Sequence, residues 1–217
     1  MAKPRQKRMP SLKRRTKTMI TVLVEGNKTE FNILPGMFDK ADYPNLRFAK
    51  INTFSGGSYS AINYWLQKNR DKVDVVLVVC DLDRASNHDG SGNRAERMNL
   101  QKTINYYENT NIKNNFFFTF PCFETWLAAG LNISASNLYR HLGYQNTDDG
   151  KTDSKLLEKY VKSGGDFVMA AQYFVNKPLY FVKKDFTMKS IIDESNIDKK
   201  QSNLYYLKEY LSQLNDA

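Results

Sequence analysis

The chain has 217 residues, enough for one domain with a sizeable core and room for an appended subdomain. Its 41% hydrophobic and 25% charged composition suits a soluble globular protein, and no stretch reaches the roughly 18 uninterrupted apolar residues of a membrane span. Two cysteines, Cys80 and Cys122, make no disulfide framework and no apolar signal segment opens the chain, so a reduced, cytoplasmic setting is expected.

The net charge of +9 is unevenly placed. Residues 1–18 carry Lys3, Arg5, Lys7, Arg8, Lys13, Arg14, Arg15 and Lys17 and no acid, which leaves the rest close to neutral. Such a block repels itself and suits a nucleic-acid backbone, with Lys13, Arg14 and Arg15 at its centre. A solubilising disordered tail explains it equally well. Pro4 and Pro10 argue against the amphipathic helix of a mitochondrial presequence.

After the tail, residues 18–24, TMITVLV, read as a strand, followed by turn chemistry and a helical pattern interrupted at Pro35-Gly36. LRFAKINTF (46–54) alternates like a strand. SGGSYSAINYWLQKNRDK gives a glycine turn, a serine N-cap and an amphipathic helix. VDVVLVVC lacks alternation and is expected to be covered on both faces. A polar loop with His88 and the helix RAERMNLQKTINYYENT follow, then the strand NNFFFTF and a helix from FETWLAAG. Strands alternating with helices predict an α/β domain over residues 19–130 with a mainly parallel sheet. Residues 134–142, 153–163, 166–176 and 201–214 look helical, with turns at Gly143, Asp149-Gly150 and Gly164-Gly165, so 131–217 is expected to be a mainly helical part packed on the core. PLYFVKKDF fits a strand or a packed loop.

Open parallel sheets form their sites beyond the carboxyl ends of strands, where the strand order reverses. VVLVVC stops at Asp81-Leu82-Asp83. On an extended backbone residues i and i+2 point to one side, so both carboxylates would face one spot with Leu82 turned inward. Two such charges repel unless a cation lies between them, and oxygen ligands without a Cys/His cluster favour Mg²⁺ or Mn²⁺. A lone Asp-x-Asp is also explained by one aspartate acting as a cap and the other being solvated. Glu25, ending the first strand, and Glu124, just after NNFFFTF, change the balance. Three strand ends each delivering a carboxylate favour a metal centre of Glu25, Asp81, Asp83 and Glu124.

VEGNKTE (24–30), VVCDLD (78–83) and PCFETWL (121–127), behind a basic start, resemble the RloB-like family of bacterial restriction and defence loci. More broadly they resemble the Toprim fold shared by topoisomerases, primases and overcoming-lysogenization-defect nucleases. The likeness spans residues 20–130. It departs at Thr119 and Phe120, where the family commonly has Ser-Asn, and it does not reach the C-terminal part. It implies a Toprim-like sheet, phosphodiester hydrolysis of DNA or RNA, Glu25 as acid/base or metal-linked carboxylate, Asp81 and Asp83 as Mg²⁺ ligands, and Glu124 as support. A partner defence protein is a further implication.

Lys28, at a helix start, could assist catalysis at a phosphate or simply be exposed. Arg84 and Arg94 flank the loop after Asp83 and could meet nucleic acid or lie on a solvated face. SGGS lacks the Lys-Ser/Thr ending of a P-loop and reads as a turn. His88 and His141 read as solvated or ordinary, Cys80 and Cys122 as packing residues, and Trp126 and Phe116–Phe118 as core. Two other functions compete: a non-catalytic module binding nucleic acid or a partner, and a glycosyltransferase using Asp-x-Asp for Mn²⁺, which gives Glu25-Gly26 no role. A haloacid-dehalogenase-type phosphatase would place its Asp-x-Asp on an early strand.

Overall fold

The computed structural model describes residues 17–25, 28–38, 41–54, 58–69, 72–85, 93–108, 113–175 and 201–217. Lys13, Arg14, Arg15, His88 and the PLYFVKKDF stretch lie outside the described residues, as does most of SGGS.

The strands are β1 (Thr18–Val24), β2 (Leu46–Phe48), β3 (Asn52–Thr53), β4 (Val75–Asp81), β5 (Lys113–Phe120) and β6 (Gln201–Ser202). They form one sheet in the order β2-β1-β4-β5-β6, with β3 also on β1; every pairing is parallel except β5 with β6. The helices are α1 (Thr29–Ile33), α2 (Tyr59–Asn69), α3 (Asn93–Glu108), α4 (Phe123–Gly130), α5 (Leu138–His141), α6 (Thr147–Thr152), α7 (Leu156–Lys162), α8 (Phe167–Val175) and α9 (Leu207–Asp216). An α/β fold with a mostly parallel sheet between helices, ending in a helix, is thus established.

Strand periodicity distributes the core between the two sheet faces. Ile20, Val22, Val24, Val75, Leu77, Val79 and Phe117 pack on α1 and on the C-terminal helices through Ile33, Trp126, Leu127, Tyr160, Phe174 and Leu207. Leu23, Val76, Val78, Cys80, Phe116 and Phe118 face the other way, onto Tyr59, Ile62 and Leu66 of α2 and Leu100 and Ile104 of α3. Hence β4 needs no polar face. The same logic explains α4, whose residues 123–128 are all buried because it lies between the sheet and α8. The helices beyond residue 131 share one hydrophobic cluster with the sheet.

Three details differ from the sequence expectation. The strand read over 46–54 is two short pieces: the ladder on β1 stops at Ile20↔Phe48 and resumes at Leu23↔Asn52. Asp149-Gly150, read as a turn, lies inside α6, which starts at Asn146 with its side chain accepting from the Asp149 N–H at 2.8 Å. The helix expected over 201–214 begins instead with β6. Beside β6, Asn203 continues the pairing with its side chain, accepting from the Phe118 N–H at 2.6 Å and donating to the Phe116 carbonyl at 2.9 Å. A two-residue strand and an amide thereby close part of the β5 edge.

β2 and β3 lie on one side of β1 and β4 on the other, and α1 and α2 cover opposite faces. The strand order therefore reverses between β1 and β4, where crevices form in sheets of this kind.

Candidate functional site

Glu25 follows β1 and Asp81 ends β4, so the register Val24↔Val79 sets them across the switch point. The Asp81 N–H reaches Glu25 Oε2 at 3.4 Å. Asp81 is further fixed by its neighbours: the Thr119 hydroxyl on β5 donates to Oδ1 at 2.5 Å, and the Tyr59 hydroxyl of α2 donates to its carbonyl at 2.6 Å. Thr119, which stands at the departure from the family pattern, thus supplies a direct partner to the central aspartate.

Asp83 is placed differently from the extended geometry expected for Asp-x-Asp. The strand ends at Asp81, Leu82 is fully buried, and Asp83 opens a single 3₁₀ turn over Asp83–Ala85. Its Oδ1 accepts from the adjacent Arg84 N–H at 2.6 Å. The chain bends because Leu82 and Ala85 both enter the α2–α3 core. Asp83 remains close enough to Glu25 to raise its pKa.

Glu124 lies in the first turn of α4 and is 8% exposed. Three donors converge on its Oε1: the Thr29 hydroxyl at 2.9 Å, the Tyr139 hydroxyl at 2.8 Å and Lys151 Nζ at 3.1 Å. Burial pushes its carboxyl up, but Lys151, the backbone N–H and the two hydroxyls outweigh burial and hold it below the usual value. Glu124 is the stably charged member of the group.

The other acids lack that compensation. Burial, with the charge of Asp83, lifts Glu25 to about 7, although Arg84 Nε stands 3.5 Å from its Oε1. Burial and the neighbouring Glu30, Glu124 and Glu25 charges drive Asp81 well up against the pull of Thr119. Glu30, in the first turn of α1 and 8% exposed, is raised by burial and by Glu124 and Glu25. Sequence reasoning missed Glu30, since an acid in a first helical turn already suits the helix dipole. Thr29, Tyr139 and Lys151 were also missed; only the folding of α5 and α6 onto α1 and α4 reveals them.

Among the remaining candidates, Lys28 is exposed immediately before α1, and His141 is exposed on α5. Arg94 lies on α3, its side chain outside the described residues. Burial pushes the Cys122 thiol to about 12 and the Cys80 thiol well up, so neither has the thiolate character of a nucleophile.

The donors brought together are carboxylates and hydroxyls, and hard cations in general take oxygen ligands of this type. Among the described residues no three His, Cys, Asp or Glu side chains are grouped closely enough, as they stand, to hold an ion. Completing a ligand set would therefore require rotation of the carboxylates.

Gly150 fixes one wall of this network. A Cβ there would lie 2.1 Å from Cδ1 of Tyr139, the ring whose hydroxyl holds Glu124. Gly150→Ala is expected to cost about 1–3 kcal/mol by overpacking and to displace the Tyr139 hydroxyl. Denaturant unfolding checks the cost, and the titration of Glu124 by NMR, moving toward an ordinary carboxyl, checks the displacement.

The fold and site define an α/β protein with a cluster of carboxylates at the switch point of a mostly parallel sheet. No family model, curated protein or solved structure matches the chain. Among the described residues no helix is long and apolar enough to cross a membrane.

Proposed function

We propose that the chain is a Mg²⁺- or Mn²⁺-dependent nuclease hydrolysing phosphodiester bonds of DNA or RNA, with a Toprim-type site akin to that of RloB-like defence proteins. One observation carries the reading: Glu25 and Asp81 flank the β1–β4 switch point, with Glu30 and Glu124 against them. The defence setting and a partner protein rest on the motif resemblance alone, and a cytoplasmic location on the sparse cysteine usage.

Glu25, Asp81 and Glu30 would hold the cation, with Asp83 and Glu124 around them. When bound, it supplies charge neutralisation and polarisation of a phosphoryl oxygen. Where Glu25 does not itself ligate the cation, its pKa of about 7 suits it to accept or release a proton near neutral pH. Arg84, with its side chain 47% exposed, can turn from Glu25 to a substrate phosphate, and Lys28 faces solvent at the edge of the same site. Lys151, Tyr139 and Thr29 keep Glu124 ionised and fixed.

A second reading, a non-catalytic module gripping nucleic acid or a partner protein, is favoured by Lys151, which already neutralises one carboxylate from within. The two part on one assay. Wild-type protein is incubated with single- and double-stranded DNA and RNA in Mg²⁺, in Mn²⁺ and in chelator. Cleavage that requires the cation supports the nuclease; binding without cleavage under every condition supports the module.

The basic tail gives a separate prediction. Removing residues 1–17 is expected to weaken nucleic-acid binding and to flatten its salt dependence, by about one unit of slope for each phosphate the tail neutralises. An unchanged slope would make the tail a solubiliser.

A further inference from the structure

The break between β2 and β3 opens a cleft of about 380 Å³ beside α1, lined by Val22, Phe31, Phe38, Phe48, Lys50 and Ile51 among others. Its phenyl rings are not all absorbed into the core. Phe38 is buried and stacks on Phe48 with centroids 5.2 Å apart and planes within 13°, while Phe48 and Phe31 are only half-buried. Lys50 is exposed at the rim. An apolar, aromatic-lined slot with a cation at its mouth matches an aromatic ring that carries a phosphate.

The slot also adjoins the acidic cluster through α1. Phe31 and Glu30 are consecutive on α1, so their side chains leave the helix about 100° apart, one toward the cleft and one toward the carboxylates.

We infer that this cleft is a base-binding subsite, which takes an unpaired nucleobase of a single-stranded substrate while the neighbouring phosphodiester lies at the carboxylates. The inference rests on reading the acidic cluster as a phosphodiester site and narrows its substrate class to unpaired nucleic acid. Stacking on Phe31 and Phe48 binds the base with little sequence preference, because every base presents a π-face. Lys50 binds a flanking phosphate.

The test uses the full chain in chelator, so that nothing is cleaved, and short DNA and RNA strands containing 2-aminopurine, whose fluorescence is quenched by stacking. Wild-type protein is expected to quench the single strand and not the matching duplex. Phe31→Leu and Phe48→Leu keep apolar volume but remove the rings; each is expected to lose the quenching and to weaken single-strand binding by about tenfold. Phe31 lies outside the buried core, so its variant should keep the wild-type unfolding temperature. Absence of quenching in wild type, or wild-type quenching and affinity in both variants, overturns the subsite. Metal-dependent cleavage separates this outcome from the fate of the nuclease reading. If Asp81→Asn abolishes cleavage while the phenylalanine variants stack normally, only the subsite fails. If wild type stacks the base but never cleaves, the subsite stands and the nuclease does not.

Discussion

Asp81→Asn is expected to lose metal-dependent cleavage by at least about a hundredfold, the most that loss of a supporting partner alone usually costs, while the metal-free protein becomes more stable. Both effects have one cause. Asp81 is pushed upward by burial and by three other acids, and only the Thr119 hydroxyl opposes them directly. Asparagine retains an oxygen where Thr119 donates and the backbone groups used by Tyr59 and Glu25, so the local fold has no reason to change. What disappears is a negative charge that the apo protein accommodates poorly and a cation would need. A site kept at the expense of stability is a common signature of function. Thermal unfolding in chelator, calorimetric titration with Mg²⁺ and Mn²⁺, and a cleavage assay test the three parts. A variant that is destabilised and still binds metal would show that Asp81 is a structural acid held by Thr119.

The fold was largely legible because its signals are local. The β-branched run at 18–24 announced a strand, the unbroken apolar run at 75–80 announced one covered on both faces, and the glycine turn before residue 59 announced α2. The break in the edge strand was not read, although the alternation of LRFAKINTF loses its phase at Ala49-Lys50; Ala49 still donates to the Ile20 carbonyl before the ladder lapses. Gly150 misled for a different reason. Its lack of a side chain serves the Tyr139 ring and not a turn, and a ring eleven residues away leaves no mark in the local sequence. The site divides in the same way. Glu25, Asp81 and Glu124 could be named because each follows an apolar strand. Glu124 meets Thr29 across 95 residues, and Thr29 meets Tyr139 across 110, so the polar cage around Glu124 depends on packing that no short motif encodes. Asp83 shows the limit of motif geometry, because the backbone leaves the strand one residue earlier than Asp-x-Asp presumes.

The same cluster makes stability and metal binding depend on pH with a definite sign. In the folded protein Glu25 titrates at about 7, whereas an ordinary glutamate does so at 4.5, and Glu30 and Asp81 are displaced in the same direction. Between those values the folded chain holds protons that the unfolded chain has released, so the stability of the metal-free protein falls as pH rises through this window. For Glu25 alone the loss is of order 3 kcal/mol, and above about 7 it grows no further. Glu124 works oppositely: its depressed pKa contributes stability that is lost on acidification below the ordinary carboxyl range. The metal-free protein is therefore expected to be most stable at the acid end of that window, at about pH 4–5, and Glu25→Gln is expected to flatten the alkaline side of that profile. A cation must displace the retained protons. Titration calorimetry with Mg²⁺ at pH 6, in two buffers of different ionisation enthalpy, is expected to show proton release of up to about one per raised carboxyl engaged. At pH 8.5 the Glu25 contribution should have vanished. Metal binding at pH 6 without proton release would place the ion away from Glu25, Glu30 and Asp81, and the phosphodiester chemistry with it.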